Sequence, residues 1–276
     1  MSATLDVVIV THNSCKVLST CLDNLNNSHI HSIYIIDNAS SDSINDLTIQ
    51  SSVANKITLI KNPNNLGFSK AVSLGVKLSN AEHVLILNPD CNVTETFIKN
   101  VIECHNFGAD VVCPKKLFNL DGNEMAGFIQ NPSTVIMCIQ VLEFKLSHQK
   151  KLPALLGKFF HFSSQLLIKG ITSLEKNLTP EWYWPNGACF SIKREMYLRT
   201  GGLPDEYFMY NEDVEFGYHL TKANCIYAMT NDSLYHENQG GSNISSESRM
   251  RLILESHQIY LSREKKQFKK IGGGIR

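Results

Sequence analysis

Acidic side chains set among aromatic residues form the part of the sequence best suited to acid–base chemistry. Four carboxylates lie within or directly before the segment YFMYNEDVEFGYH at 207–219: Glu206, Glu212, Asp213 and Glu215. Apolar neighbours raise carboxylate pKa values and adjacent acids split them, which provides a general base that works near neutral pH. The same residues also suit a helix start, with Asn211 as the N-cap and acids in the first turn favoured by the helix dipole.

Polar side chains also follow three short apolar runs, where strands are expected to end. They are Thr11, His12 and Asn13, then Asp37 and Asn38, then Asn88 and Asp90. In a parallel sheet, ligands bind at the carboxyl ends of strands, so these residues are the candidate site. Asp37 and Asn38 can contact a base or a ribose, and the sequence Asp-Asn-Ala-Ser-Ser-Asp that they open is equally good turn chemistry.

Asp90 places one carboxylate after the apolar run at 84–87. A divalent metal ion that bridges a diphosphate prefers hard oxygen ligands of this type, although Pro89 also predicts a simple turn here. His236 follows a strand-like segment at 225–229, and an isolated histidine is more often structural than a metal ligand.

Gly67 lies in the sequence Asn-Leu-Gly-Phe at 65–68, which predicts a tight turn into a helix. The free N–H groups at such a helix start can face a phosphate. The sequence does not match G-x-G-x-x-G or G-x-x-x-x-G-K, which disfavours a nicotinamide-cofactor enzyme or a P-loop nucleotidase.

The elements that must position these residues alternate between strands and helices. Strands are predicted at about 5–10, 32–36, 56–61 and 83–87, and helices at about 14–26, from 43, at 68–79 and at 95–106. Strand character returns at 182–192. This alternation predicts a mostly parallel sheet covered by helices.

Composition limits the class of protein. The 276 residues are 43% hydrophobic, which is enough for one large α/β domain. The 26 basic and 26 acidic residues balance, so global charge gives no case for a nucleic-acid partner. The eight cysteines have no metal-knuckle spacing and predict reduced core thiols in a cytoplasmic protein. Neither a signal peptide nor a transmembrane span is predicted.

A basic and apolar segment runs from 128 to 179, interrupted by only two acids, Glu143 and Glu175. It predicts either contact with an anionic membrane face, chiefly through 144–170, or a helical insertion packed on the core. The tail from 247 to 271 is predicted to be helical, with lysines near its end.

Six motifs in this order resemble those of the family 2 glycosyltransferases of the GT-A fold, over about residues 5–240. They are VVIVTHNS at 7–14, DNASSD at 37–42, NLGF at 65–68, LNPD at 87–90, GACF at 187–190 with Lys193 to Glu195, and the stretch from Gly201 to Asp213. LNPD and the sequence from His236 to Ser242 resemble the rhamnosyltransferase-like branch.

The resemblance implies an α/β fold of the GT-A type, in which a nucleotide-binding, mostly parallel sheet is flanked by helices and joined by an acceptor-side half and a helical insertion. Residues 1–240 would be the glycosyltransferase domain, with the basic insertion at about 130–180. Residues 241–276 would be a helical, basic tail.

Site roles also follow from the resemblance. Thr11, Asn13 and Asp37 would hold the nucleotide, with Asp37 facing the pyrimidine. Asp213 would be the base that deprotonates the acceptor, and Glu212 would shape the acceptor pocket. The donor site would further include Asn38, Gly67, Asn88 and Asp90, and the acceptor site Trp184, Gly187 and Tyr210.

Asp90 would bind Mg2+ or Mn2+ on the diphosphate, with His236 as a further metal contact. The family's Asp-x-Asp is here Asn88-x-Asp90, which leaves one carboxylate where two often occur. Metal dependence is therefore expected to be weaker than in members with both acids.

The implied function is an inverting transfer of a sugar in bacterial O-antigen or other surface polysaccharide synthesis. The expected donor is dTDP-L-rhamnose, and the expected acceptor is a saccharide linked to a lipid diphosphate. The protein would work in the cytoplasm, peripherally at the inner face of the membrane. The alternatives are a UDP-sugar-dependent transferase for galactose, galactofuranose or N-acetylglucosamine, and a non-catalytic subunit that binds a sugar nucleotide.

Overall fold

The computed structural model describes residues 5–119, 121–130, 134–147, 162–164, 166–167, 182–237 and 246–271. The chain divides into two compact units. The first comprises Met1–Ile129, Tyr183–Phe208 and Glu212–Asn243, and the second comprises Gln130–Trp182, Met209–Asn211 and Ile244–Arg276.

Short strands and helices alternate through the described part of the chain. The strands are β1 (Leu5–Thr11), β2 (Ile30–Asp37), β3 (Ile57–Lys61), β4 (His83–Leu87), β5 (Cys91–Asn92), β6 (Val111–Cys113), β7 (Lys116–Phe118), β8 (Glu124–Ala126), β9 (Phe128–Gln130), β10 (Tyr183–Pro185), β11 (Cys189–Lys193), β12 (Tyr227–Met229) and β13 (Ser233–His236). The helices are α1 (Cys15–Asp23), α2 (Ile44–Gln50), α3 (Phe68–Leu78), α4 (Glu95–Asn106), α5 (Thr134–Ser147), α6 (Arg194–Arg199), α7 (Glu212–Lys222) and α8 (Ser246–Ile271).

The central sheet of the first unit has seven strands in the order β12-β6-β11-β4-β1-β2-β3. All five residues of β4 are buried, and β1 is buried except for Val10. Such continuous apolar runs are typical of parallel strands covered on both faces. The expected mostly parallel sheet is confirmed, since β1, β2, β3 and β4 pair in parallel.

One strand, β11, runs against the others. It pairs antiparallel with β4 and with β6, and its first residue, Cys189, lies opposite Leu87 at the end of β4. The chain therefore enters β11 at the edge where β1, β2 and β4 end. The strand expected at 182–192 is in fact two strands, β10 and β11, separated by a turn at 186–188.

Two further small sheets are present. One has the order β5-β13-β7-β8 and the other pairs β9 with β10. In the larger of them, Cys91 of β5 lies opposite His236 of β13. This pairing brings the residues after Asp90 beside a strand from the far end of the chain.

The second unit contains α5 and α8, which contact each other. Asn211 donates a hydrogen bond to the Ser256 hydroxyl (2.9 Å), and Ser164 donates one to Glu143 (2.5 Å). The helix expected at 247–271 corresponds to α8. Most of the basic segment at 144–170 lies outside the described residues. Within the described ranges, no helix is both long and apolar enough to cross a membrane.

A pair of stacked histidines lies at the opposite end of the sheet from the candidate site. The rings of His83 and His105 are 4.0 Å apart at their centroids. His105 Nδ1 donates to the Ala109 carbonyl oxygen (2.9 Å), so its neutral Nε2 accepts from the Ser191 hydroxyl (2.8 Å). Burial, and then the neighbouring His83, lower the pKa of His105 from 6.5 to about 4.

This histidine predicts a loss of stability in acid. Above pH 6.5 His105 is neutral in both states. As the pH falls toward 4 the unfolded chain takes up the proton first, and roughly 3 kcal/mol of folding free energy is lost. We expect a His105→Gln variant to show a flatter dependence of unfolding free energy on pH between 6.5 and 4, measured by urea denaturation. Parallel curves for the two proteins would contradict this assignment.

Candidate active site

The loops after β1 and β2 are tied to each other by hydrogen bonds. Thr11 and Asp37 are register partners, and the Asn38 N–H donates to the Thr11 carbonyl oxygen (2.8 Å). Asn13 has a left-handed backbone (φ 54°), and its side-chain oxygen accepts from the N–H (2.8 Å) and the hydroxyl (3.0 Å) of Ser41. Asp37 accepts from the Ser40 N–H (2.9 Å). The turn chemistry expected here is therefore present.

The buried hydroxyl of Thr11 at this edge has no hydrogen-bond partner in the described part of the chain. Thr11 is 1% exposed, and its hydroxyl oxygen makes no hydrogen bond with any described residue. A buried hydroxyl without a partner costs about 1–3 kcal/mol, so such atoms usually meet a ligand or water. Thr11 thus lies where the sequence places the nucleotide, beside Asp37.

A chain of amides joins this region to the start of α3. Asn62 donates from its side chain to the Asn38 side-chain oxygen (2.8 Å), and Asn38 donates to the Gly67 carbonyl oxygen (3.1 Å). Asn38 and Asn62 are both buried. The two amides fix the position of the Gly67 turn relative to Asp37. Asn62 was not among the residues predicted from the sequence.

Gly67 cannot be replaced without strain. Its φ is +81°, and a Cβ built on it would lie 2.5 Å from the carbonyl oxygen of Phe208. The Gly67 N–H donates to Asn65 (2.9 Å) and the Phe68 N–H donates to Phe208 (2.9 Å). The expectation that the helix start offers free N–H groups to a phosphate is therefore wrong for these two groups.

The loop after β4 meets His236. His236 Nε2 lies 3.2 Å from an Asp90 carboxylate oxygen and 3.4 Å from the Asn88 side-chain nitrogen. The Glu237 N–H donates to the Asp90 carbonyl oxygen (3.0 Å), which holds β13 against this loop. The histidine singled out in the sequence thus lies beside the predicted metal ligand, although the two are far apart along the chain.

The surroundings of His236 fit a metal ion. A protonated Nε2 would suit Asp90 but oppose the Asn88 amide, whereas an unprotonated Nε2 would do the reverse. A cation between Nε2 and the carboxylate would be bound by a lone pair from each group, with Nε2 unprotonated. Metal–ligand bonds of about 2.1 Å place neighbouring ligand atoms about 3.0–3.4 Å apart, and the observed 3.2 Å lies in that range. Asp90 and His236 are both buried.

The acidic pair lies at the start of α7. Asp213 accepts from the Gly187 N–H (3.2 Å) and from the Val214 N–H (2.9 Å). Burial raises the pKa of Asp213 to about 6, and these N–H groups oppose the shift. Burial, followed by the charge of Asp213, raises the pKa of Glu212 well above its usual range. Asp213 is thus ionised at neutral pH, whereas the raised pKa of Glu212 favours its protonated form.

Glu212 is 5% exposed, and its Oε2 has no hydrogen-bond partner among the described residues. The helix start that the sequence suggested is also present, because α7 begins at Glu212. The two interpretations of the acidic segment are therefore compatible. Glu215, by contrast, is engaged in the fold, since the Tyr207 hydroxyl donates to it (2.6 Å).

A three-residue turn connects the acidic pair to the β4 loop. Gly187 donates to Asp213, and the carbonyl oxygen of the next residue, Ala188, accepts from the Asn88 N–H (2.8 Å). The Asn186 side chain accepts from the Ala188 N–H (3.1 Å) and stabilises the turn. A Cβ on Gly187 would lie 3.2 Å from Asp213, so a larger residue would crowd the carboxylate.

Trp184 and Tyr210, the other residues predicted to contact the acceptor, lie in different compact units. Trp184 lies on β10, which packs on α7 so closely that a Cβ on Gly217 would lie 2.4 Å from the Trp184 Cβ. Tyr210 belongs to the second unit and has a left-handed backbone (φ 72°). Direct contact of either residue with an acceptor stays a prediction.

Comparison with known proteins gives a family and a fold. The model of a family described as Glycosyl transferase family 2 matches residues 6–213. The low-salt glycan biosynthesis hexosyltransferase Agl10 of Haloferax volcanii is 25% identical over 234 residues, which cover 77% of this chain and 66% of that protein. An N-acetylglucosaminyl-diphospho-decaprenol L-rhamnosyltransferase of Mycobacterium tuberculosis is 36% identical over 56 residues, 20% of this chain and 18% of the relative.

A solved structure shares the fold. The mannosyltransferase PcManGT of Pyrobaculum calidifontis, in complex with GDP-Man and Mn2+, matches with a TM-score of 0.53 at 14% identity. The match covers 85% of this chain and 57% of that one. The chain thus spans about two thirds or less of the length of these proteins. The expected fold class is confirmed by this likeness.

The Gly67 turn predicts a difference between two glycine variants. Gly108 also has a positive φ (+98°), but a Cβ there would meet nothing within 4 Å. We expect Gly108→Ala to lower the unfolding free energy by about 1 kcal/mol through backbone strain alone. Gly67→Ala should lose a further ~1–3 kcal/mol through the clash with Phe208. Urea denaturation measures both, and equal losses would show that the close contact is not a constraint.

Proposed function

Because the chain belongs to glycosyl transferase family 2, we propose that it is an inverting hexosyltransferase that transfers L-rhamnose from dTDP-L-rhamnose to a saccharide linked to a lipid diphosphate. The observation that carries the proposal is the position of Asp213. Its carboxylate is held by two backbone N–H groups and is linked through Gly187 and Ala188 to the loop of Asn88 and Asp90.

Asp213 is suited to act as the base. With a pKa of about 6 it is ionised at neutral pH yet basic enough to accept a proton from a hydroxyl that is attacking. The acceptor oxygen bonds to the anomeric carbon as its proton passes to Asp213, and the bond from that carbon to the diphosphate oxygen breaks on the opposite face. One displacement inverts the anomeric centre, so a single base suffices.

The donor contacts are assigned to the loops after β1, β2 and β4. Thr11 and Asp37 would bind the nucleoside, since both are buried side by side and the Thr11 hydroxyl has no partner among described residues. Asp90 and His236 would hold the Mg2+ or Mn2+ ion. When bound, the ion would offset the negative charge that develops on the departing nucleoside diphosphate.

The sugar and the acceptor are proposed from the names of the two relatives. The mycobacterial relative is named as an L-rhamnosyltransferase acting on a lipid diphosphate, and the archaeal relative is named as a hexosyltransferase of glycan biosynthesis. The protein is proposed to act at the cytoplasmic face of the membrane. An edge carrying Asp37 suits thymine and uracil equally, so UDP-sugars are the alternative donors that the experiment must include.

Removal of the base should abolish transfer but leave donor binding intact. For Asp213→Asn we expect kcat to fall by roughly 10²–10⁴-fold, the usual contribution of a general base, with unchanged dTDP binding. In the wild type, kcat should rise with pH through about 6 as Asp213 ionises. The measurement is a transfer assay with dTDP-L-rhamnose, across pH, together with calorimetric titration of dTDP.

The exposed acid Asp205 provides the control, since Asp205→Asn makes the same chemical change at a carboxylate outside the acidic pair. It should retain wild-type transfer. Undiminished transfer by Asp213→Asn would exclude Asp213 as the base. A loss of dTDP binding in that variant would point to a structural role.

Donor identity predicts a selective stabilisation. A ligand that binds only the folded state raises the unfolding free energy by mass action, by about 2.7 kcal/mol at a hundredfold excess over Kd, and the melting temperature rises with it. We expect the largest shift with dTDP-L-rhamnose and a greater one when Mn2+ is added. The comparison ligands are UDP-galactose, UDP-N-acetylglucosamine and GDP-mannose, and a larger shift with any of them would replace rhamnose as the donor.

A further inference from the structure

We infer that the Cys91 sulfur is a third protein ligand of the metal held by Asp90 and His236, so that this site favours a thiophilic divalent ion such as Zn2+ or Co2+. The inference rests on the metal site of the proposed function and concerns a residue to which neither the sequence motifs nor the relatives give a role. Sequence inspection assigned Cys91 only to the core.

The position of Cys91 supports this role. One ligand atom from each of Asp90, Cys91 and His236 lies within 4.8 Å of the other two. Cys91 and His236 are register partners in the antiparallel pair of β5 and β13. Residues directly opposite in such a pair point to the same face, with Cβ atoms about 4.5–5.5 Å apart. The thiol therefore shares a face with the imidazole.

The three groups together make a ligand set of a known chemical kind. A carboxylate oxygen, an imidazole nitrogen and a sulfur suit a four-coordinate ion that keeps one open position for a substrate oxygen. Sulfur ligands favour Zn2+ over hard ions, whereas Mg2+ prefers oxygen and retains its waters. Asn88 stands where a second carboxylate often occurs, so the site has fewer hard oxygen ligands and favours Zn2+ further.

Other buried thiols do not have this arrangement. Cys113 and Cys189 are also 0% exposed. Within the described part of the chain, however, the group of potential metal ligands that includes a cysteine is the one at Asp90, Cys91 and His236. Cys113 lies on β6 and serves as a matched control, because its substitution removes a thiol of equal burial from outside the group.

Binding through sulfur would also engage the turn at 186–188. The Cys91 thiol donates to the Ala188 carbonyl oxygen (3.4 Å), which also accepts from the Asn88 N–H. When the sulfur binds a metal, its proton leaves to solvent and this hydrogen bond is lost. Metal occupancy and the position of the turn are thus coupled through one carbonyl group.

The test is Co2+ absorption of the full chain, compared among wild type, Cys91→Ser, Cys91→Ala and Cys113→Ala. We expect an intense near-ultraviolet sulfur-to-cobalt charge-transfer band in the wild type and in Cys113→Ala, and its absence in both Cys91 variants. Cys91→Ser, whose hydroxyl can still donate to Ala188, should lose at least about tenfold in Zn2+ affinity, with a smaller change for Mn2+. The melting temperature of each metal-free variant establishes that it is folded.

Three results would overturn the inference: Co2+ binding by the wild type without the band, a band that persists in Cys91→Ser, and the absence of divalent-ion binding by the wild type. The first two leave the proposed function intact if the wild type still transfers sugar with Mn2+. Failure of transfer under every metal, with the band present, would instead reject the proposed function and keep the ligand assignment.

Discussion

The hydrogen bonds of the turn at 186–188 hold the two reactive parts of the site at a fixed separation. Gly187 donates to the Asp213 carboxylate, and Ala188 accepts from Asn88 in the loop of the metal ligand. The turn is itself fixed because β11 enters the sheet antiparallel, with Cys189 opposite Leu87. A parallel strand at this place would begin at the other edge of the sheet, and base and metal loop would share no connection.

Burial explains why two adjacent acids behave differently. Glu212 is enclosed and its carboxyl has an oxygen without a partner among the described residues, whereas Asp213 is half-buried and receives two N–H groups. Water exclusion raises the pKa of both groups. Backbone N–H groups of Gly187 and Val214 oppose the shift of Asp213, whereas for Glu212 the opposing hydrogen bond comes from its own backbone. The N–H groups of Gly187 and Val214 thus favour the ionised form of Asp213.

Local pattern predicted the elements that have strong periodicity and missed contacts between distant segments. The strands β1 and β4 are continuous apolar runs, and the polar residues at or just after the ends of β1, β2 and β4 are Thr11, Asp37 and Asp90. The two-residue strand β5 has no period that a sequence can display. The contact of His236 with Asp90, and the place of Cys91 opposite it, arise from strand pairing between remote segments. Asn62 was missed for a similar reason, since its hydrogen bonds to Asn38 and Asp37 arise only in the folded chain.

The pairing of β9 with β10 has a consequence for the length of the chain between them. The chain departs after Gln130 and returns at Tyr183, and the paired strands hold these two points side by side. The entropy of closing a loop grows by only about 0.6 kcal/mol for each doubling of its length. The sheet therefore places little constraint on the length of the connection between the two strands, and the turn beside Asp213 follows β10 directly whatever that length is.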